Sequence, residues 1–175
     1  EGLRDVKALG SVCWEMAFLL VWTARYEEAI DTAQRGLAVL GEQASADRCR
    51  LLASGGISHS IRGDYPQATG MLDQALSMAQ ELGDQRLLGQ VLAYKTGHHL
   101  YYRQSQQQVE AGLRAVQILR SAGDLRQLPT ALWWTQYGLL FLGRYDEAAG
   151  MAGAAEPLAI RLGDLGALLA VRRGA

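Results

Sequence analysis

Few side chains in this sequence have the types needed for metal, acid–base or nucleophilic chemistry. The three histidines are His59, His98 and His99, and the two cysteines are Cys13 and Cys49. On a helix, the adjacent His98 and His99 project about 100° apart, so they cannot bind one metal ion from one face. The two cysteines lie in apolar, helical segments without a C-x-x-C pairing, which favours reduced core thiols over a disulfide framework.

His59 and His99 lie 40 residues apart, and the chain repeats itself at that interval, as described below. If the repeats stack, the two histidines occupy equivalent places and lie side by side. A metal-binding or pH-sensing pair is one interpretation of this spacing. Two histidines that fill helix-packing positions are the alternative.

A catalytic serine is the remaining chemical candidate. The stretch GGISHS over residues 55–60 is close to the G-x-S-x-G nucleophile pattern, but the closing glycine is missing and no strand precedes it. The sequence also contains no phosphate-binding, dinucleotide-binding or zinc-protease motif. We therefore predict no catalytic residue, no metal and no cofactor, and we expect that the protein is not an enzyme.

The composition is that of a soluble globular protein. The chain has 175 residues, of which 49% are hydrophobic and 20% are charged, with a net charge of −1. The longest apolar run, residues 16–22, is far too short to span a bilayer, and no signal peptide precedes it. Basic and acidic residues are interspersed, which excludes the electrostatic footprint of a nucleic-acid-binding protein. We expect a cytoplasmic protein with no membrane or nucleic-acid partner.

The helices that would position these residues are delimited by two turn signals that recur about every 40 residues. The first is a Gly-Asp pair, in which glycine ends one helix and aspartate caps the next. The second precedes a new helix at Tyr26, Tyr65, Ser105 and Tyr145. Apolar residues between these signals recur at three- and four-residue steps and never in sustained alternation. The pattern predicts an all-α chain of paired helices.

Eight helices in four pairs follow from these signals. The first helices of the pairs are predicted over 5–23, 46–62, 84–102 and 124–142, and the second helices over 26–40, 65–81, 105–121 and 145–161. One pair cannot bury its apolar face alone, so the pairs are expected to stack into a single solenoid over 1–175. Its repeats are approximately 5–43, 44–83, 84–123 and 124–163, followed by a capping or truncated helix over 164–175. The chain starts at Glu1 and stops within a helical pattern, so we expect a piece of a longer protein.

The sequence resembles tetratricopeptide (TPR) repeats of the longer, 40-residue variety, and the resemblance covers nearly the whole chain. The residues that carry it are the turn tyrosines, the alanines three positions later (Ala29, Ala68, Ala148) and small residues further along the second helices (Gly36, Ala75, Ala115, Ala155). The third repeat departs from the pattern with Ser105 and Gln108. At the small position of the first helices, Ala17 and Gly56 fit and Thr96 and Gln136 do not. The resemblance implies a right-handed superhelical solenoid; a HEAT-like array is the alternative.

This resemblance also implies a partner-binding groove lined by the first helices. TPR arrays generally hold a protein or peptide segment there, and the matching positions give a predicted site of Trp14, Phe18, Ile57, Leu100, Trp133 and Tyr137. These positions lack a Lys/Arg clamp for a terminal carboxylate, which favours an apolar or amphipathic peptide. Two alternatives stay open: the aromatic residues fill the core, or they form a self-association surface.

The function implied is that of a protein- or peptide-binding scaffold. The repeats are similar to the C-terminal repeat regions of large bacterial ATPase-linked, MalT-like regulators, which implies the sensor region of a multidomain signalling or transcriptional regulator. A homo-oligomerisation module that forms a homodimer is one alternative. A free-standing adaptor that binds linear peptides is another, and fold alone does not decide among them.

Overall fold

Helices account for all the regular structure of the described chain. The structure, a computed structural model, describes residues 2–163, with side chains described for residues 5–163, and this range contains eight α-helices and no strand. They are α1 (Gly2–Trp22), α2 (Tyr26–Leu40), α3 (Ala46–Arg62), α4 (Tyr65–Glu81), α5 (Gln85–Tyr101), α6 (Ser105–Ser121), α7 (Leu128–Phe141) and α8 (Tyr145–Leu162). The helix predicted over 164–175 lies outside the described residues. No helix of the described part is long and apolar enough to cross a membrane.

The chain forms two compact units, one up to Leu87 and one from Leu88 onward. In the first unit, α1 packs against α2 and α3, α2 against α3, and α3 against α4. In the second unit, α7 packs against both α6 and α8. The predicted all-α class and the repeated helix-turn-helix pattern are confirmed. The single array over 1–175 and its right-handed superhelix stay predictions.

The turn inside each helix pair has the same backbone conformation. One residue with positive φ lies at the equivalent place of all four turns: Ala24 at 60°, Gly63 at 84°, Arg103 at 56° and Gly143 at 72°. Glycine adopts this left-handed region without penalty, whereas a side chain makes it costly. The geometry of the repeat is therefore kept at the first and third turns, although no glycine is present there.

Side-chain caps mark the starts of α3, α4 and α5, and a buried aspartate explains why the start of α7 differs from the prediction. Ser45 caps α3 by accepting a hydrogen bond from the Arg48 amide at 3.2 Å. Asp124 was predicted to cap a helix that starts at once, but α7 begins at Leu128. The Asp124 carboxylate is buried, accepts the Gln127 amide at 3.2 Å, and accepts the side-chain amide of Gln90 from α5 at 2.7 Å. This cap closes a turn over residues 124–127 before the helix proper starts.

Small side chains of the second helices are wedged between two first helices. A Cβ atom added to Gly36 of α2 would lie 2.8 Å from Cys13 of α1 and 2.7 Å from Leu51 of α3. In the second unit, Gly112 of α6 meets Thr135 of α7 in the same way. This close approach is the physical reason for small residues at these places of the repeat. The alanines that follow the turns by three positions (Ala29, Ala68, Ala148) are also buried.

The third repeat tolerates Gln108 because α7 makes room for it. The Gln108 side chain is fully buried, and its Nε2 donates to the Trp134 carbonyl at 2.6 Å. Directly beside it lies Gly138, where an added Cβ would be 3.0 Å from the Gln108 side chain. A larger residue at one helix is thus matched by a smaller residue at its neighbour.

Candidate partner-binding surface

A row of aromatic side chains runs along one face of α1 in the first unit. Trp14, Phe18 and Trp22 follow each other at four-residue steps, which places them on one side of the helix. The ring centroids of Trp14 and Phe18 are 6.3 Å apart, and those of Phe18 and Trp22 are 6.1 Å apart. All three side chains are half-buried, so each keeps part of its surface exposed. We call this set the first aromatic row.

An arginine from α3 adds a cation to the first aromatic row. The Arg50 guanidinium carbon lies 4.7 Å from the centroid of the Trp14 ring, a cation–π geometry. Arg50 also forms a 3.2 Å ion pair with Asp47, whose carboxylate accepts a 2.8 Å hydrogen bond from the Ser11 hydroxyl of α1. The paired carboxylate offsets the charge of Arg50. The surface is therefore aromatic with a neutralised polar edge.

Helix α7 carries the equivalent row in the second unit. Trp133, Tyr137 and Phe141 stand at the same four-residue steps, and each lies 119 residues after its counterpart on α1. The ring centroids of Trp133 and Tyr137 are 5.7 Å apart with perpendicular planes. Trp133 and Tyr137 are half-buried, and Phe141 is 65% exposed. These three residues form the second aromatic row.

Adjacent tryptophans on α7 have opposite environments. Trp134 is 2% exposed, and its ring packs at 6.2 Å from Tyr94 of α5. Trp133 stacks on Trp134 at 5.9 Å but keeps an accessible face. Trp134 is therefore core, and Trp133 connects that core to the surface.

Five of the six predicted partner-binding residues keep accessible surface, and one does not. Trp14, Phe18, Leu100, Trp133 and Tyr137 are half-buried. The inclusion of Ile57 was wrong because its side chain is fully buried and offers nothing to a partner. Neighbouring positions of the same helix faces, Ala53, Ser60 and Ala93, are buried too.

The third member of each row was not among the predicted residues. Trp22 and Phe141 continue the rows by one more four-residue step, and neither is fully buried. The four-residue spacing was visible in the sequence and is sufficient to find both residues. No sequence spacing indicates Arg50, because its contact with Trp14 joins α3 to α1.

The two equivalent histidines each contact the turn that follows their own helix. His59 Nδ1 lies 3.2 Å from an Asp64 carboxylate oxygen, and His99 Nδ1 lies 2.7 Å from the side-chain oxygen of Gln104. Asp64 and Gln104 are the residues at the starts of α4 and α6. The geometry assigns both histidines to turn packing. Among the described residues, no group of three or more His, Cys, Asp or Glu side chains is arranged to hold a metal ion.

The serine and cysteine candidates are buried. Ser58 is fully buried in the middle of α3, and its hydroxyl donates to the Ser54 carbonyl at 2.8 Å. The Cys49 thiol is fully buried and donates to the Ala75 carbonyl at 3.2 Å. Burial raises the pKa of Cys49 from 9.0 to about 12, so the reactive thiolate is suppressed. Neither residue has the environment of a nucleophile.

A polar recess of about 310 Å³ lies at the turn edge of the first unit. It is lined by Glu27, Ile30, Asp31, His59, Arg62 and Asp64. Two contacts lie within it: Arg62 forms an ion pair with Glu27 at 2.9 Å, and His59 contacts Asp64 at 3.2 Å. The recess belongs to the turns and is distinct from the aromatic rows.

Comparison with known proteins gives a match in three-dimensional structure but none in sequence. No protein-family model matches the sequence, and no curated protein matches it. Among solved structures, aspartyl phosphate phosphatase F from Bacillus subtilis matches with a TM-score of 0.72 and 16% sequence identity. The match covers 95% of this chain but 44% of the phosphatase, so the chain spans less than half the length of that protein. The similarity confirms the all-α helical-repeat fold. Membership of the TPR family and similarity to MalT-like regulators stay predictions.

Proposed function

We propose that this chain is a protein-binding scaffold and that each of its two aromatic rows, taken by itself, binds apolar or amphipathic segments. The observation that carries the proposal is the recurrence of a three-ring row, at four-residue steps and with no ring fully buried, at equivalent places of α1 and α7. Aromatic residues that are partly exposed and held by neighbours are typical binding anchors.

The chemistry of the rows favours apolar over acidic partners. Arg50 is the cation at the first row, and its charge is already paired with Asp47 at 3.2 Å. A partner carboxylate would have to displace that pair. A segment that buries Leu, Met or aromatic side chains against the rings gains hydrophobic free energy without this cost.

In a longer protein, such a scaffold acts as the sensor or regulatory region of a bacterial signalling or transcriptional regulator in the cytoplasm. This part of the proposal rests on the predicted resemblance to MalT-like repeat regions, and the fold shared with a longer Bacillus subtilis protein is compatible with it. That protein is named a phosphatase, but no activity is carried over at 16% identity. We propose a binding role without catalysis for this chain.

A peptide-display selection tests the proposal. A library of random linear peptides is selected against the wild-type chain and, in parallel, against a Phe18→Ala/Phe141→Ala chain. We expect the wild-type selection to enrich peptides with spaced large apolar residues, and the variant to lose that enrichment while it keeps its helical circular dichroism spectrum.

A matched control for this selection is Tyr145→Ala, because Tyr145 is 68% exposed and lies outside both rows. This variant should enrich the same peptides as the wild type. Enrichment that survives in the Phe18→Ala/Phe141→Ala chain would show that the rows are not the binding surface.

A further inference from the structure

Four side chains connect α1 to α3 beside the first aromatic row. The Ser11 hydroxyl of α1 donates to Asp47 Oδ2 of α3 at 2.8 Å, and Asp47 Oδ1 lies 3.2 Å from an Arg50 guanidinium nitrogen. Arg50 in turn contacts α1, because its guanidinium carbon lies 4.7 Å from the centroid of the Trp14 ring. The two residues of each helix are one helical turn apart, so the contacts form a closed circuit. We call these four residues the α1–α3 link.

The ion pair of the α1–α3 link is sheltered from solvent. The side chains of Arg50 and Asp47 are 22% and 21% exposed, whereas those of Arg62 and Glu27, a second ion pair that α3 makes, are 53% and 74% exposed. A sheltered pair is screened less by water and salt than an exposed one. The Asp47 carboxylate also lies in the first turn of α3, where the helix dipole favours a negative charge. Arg50 is therefore held at a fixed place beside α1.

Core packing leaves part of the orientation of Trp14 to be set by Arg50. Trp14 packs against the buried side chains of Ala17, Ala33 and Leu51 and keeps part of its own surface exposed. A half-buried indole can still turn about its side-chain bonds. The guanidinium above the ring favours the orientations that present the ring face to it. The contact with Arg50 therefore selects among the orientations that the core allows.

The orientation of Trp14 matters for binding because a side chain that must be ordered by a partner costs affinity. A ring that is already held in its bound orientation avoids part of this cost. A direct contact between Arg50 and a partner carboxylate is less favoured, since Asp47 already shares the charge. The geometry thus favours an indirect role, in which Arg50 acts through the Trp14 ring.

We propose that Arg50 is a positioning residue of the first aromatic row, which holds the Trp14 ring in the orientation that receives an apolar segment. The inference rests on the proposed function, because a positioned ring matters only if the row binds a partner. Arg50 raises the affinity of the row without contacting the partner itself.

The order of the Trp14 indole tests the positioning step without a partner. In an isotope-labelled whole chain, the indole N–H signal of Trp14 is assigned by its loss in Trp14→Phe, and its heteronuclear NOE reports fast motion of the ring. We expect Arg50→Gln to lower this NOE. Arg50→Lys should lower it less, because lysine keeps a cation but lacks the planar guanidinium. An unchanged NOE in Arg50→Gln overturns the proposal.

Arg62→Gln is the matched control for this measurement. It removes an arginine that lies on the same helix and forms an ion pair with Glu27 of α2 at 2.9 Å. At about 100° per residue, Arg62 projects about 120° around α3 from Arg50, so it lies on another side of the helix. The NOE of the Trp14 indole should stay as in the wild type. Equal effects of Arg50→Gln and Arg62→Gln would contradict a specific role for Arg50.

The affinity of a first-row peptide measures the consequence for binding. The probe is a display-selected peptide whose binding is lost in Phe18→Ala. In calorimetry, Arg50→Gln should weaken its binding about threefold to tenfold. The same substitution should have little effect in a Trp14→Leu chain, because the ring through which Arg50 acts is then absent. An equal loss in the Trp14→Leu chain would overturn the positioning role.

The proposed function and the positioning role fail in different ways. If no selected peptide requires Phe18, the first aromatic row is not a binding surface, and the positioning role falls with it. If a peptide requires Phe18 but binds Arg50→Gln like the wild type, the row binds its partner and the positioning role alone is overturned.

Discussion

At the residue scale, the exposure of a ring decides its role more than its type does. Trp133 and Trp134 are identical in type and adjacent in sequence, yet Trp134 is 2% exposed and Trp133 keeps an accessible face. The place of Trp133 in the repeat led to its prediction as a partner-binding residue, which its partial exposure leaves open, whereas the sequence could not have excluded Ile57. That residue fits the same pattern, and only the packing around α3 shows that it is buried.

Close helix approach makes Gly56 of α3 intolerant of a side chain. An added Cβ would lie 2.7 Å from Leu72 of α4, so Gly56→Leu should lower the free energy of unfolding by about 1–3 kcal/mol. Gly70→Leu is the matched control, because nothing lies within 4 Å of its Cβ direction and helix propensity favours leucine by up to about 1 kcal/mol. Urea denaturation measures both. Equal effects at the two sites would show that the packing at Gly56 is not tight.

Burial of Cys49 makes its thiol unreactive in the folded protein. Its pKa is raised from 9.0 to about 12, mainly by burial. The folded protein therefore keeps the thiol proton to higher pH than the unfolded chain does. The contribution of the neutral thiol to the free energy of unfolding is constant below about pH 9 and is lost as the pH rises from 9 to about 12.

Alkylation with iodoacetamide at pH 9 measures this difference. In a Cys13→Ser chain, Cys49 should react only after addition of denaturant, whereas a Cys49→Ser chain, with half-buried Cys13, should react faster when native. Native reaction of Cys49 at the rate of the unfolded chain would contradict the burial effect.

At the element scale, turn chemistry set the helix boundaries. The predicted bounds of α2, α3, α4 and α6 agree with the structure. A tyrosine marks the starts of α2 and α4 and a serine cap marks that of α3, whereas the start of α6 at Ser105 followed from the 40-residue period. The start of α7 was missed, since the Asp124 cap is part of a longer turn that Gln90 of α5 stabilises. A contact from another helix is not visible in local sequence.

Two of the four turns within the helix pairs have a non-glycine residue at positive φ. Because a side chain is costly in this backbone region, adding one and removing one at these turns should have opposite effects on stability. Gly63→Ala should lower stability by about 1–2 kcal/mol, because φ at that position is 84°. Ala24→Gly should not lower it, and should raise it by up to about 1 kcal/mol, because φ there is already 60°. Thermal melts of both variants provide the comparison. A lower melting temperature for Ala24→Gly would show that its turn depends on the methyl group.

At the scale of the whole molecule, the repeat explains what the sequence could and could not predict. Stacking needs small residues at fixed places, so the period and the helix pairs followed from spacing, and positions such as Gly36 and Ala75 followed from the resemblance to TPR repeats. The resemblance also supplied the six candidate partner-binding residues, of which five keep accessible surface; their role in binding stays a prediction. The identity of a partner leaves no such trace, because accessible rings accept many apolar segments.

The most direct test of the binding role is the affinity of a display-selected peptide for three chains, measured by calorimetry beside their melting temperatures. Phe141→Ala should weaken binding at least roughly tenfold with little change in melting temperature, because Phe141 is 65% exposed in the second aromatic row. Tyr145→Ala should bind like the wild type. Unchanged affinity of Phe141→Ala would contradict the assignment of the row as the binding surface, and a large fall in its melting temperature would show that the ring belongs to the core.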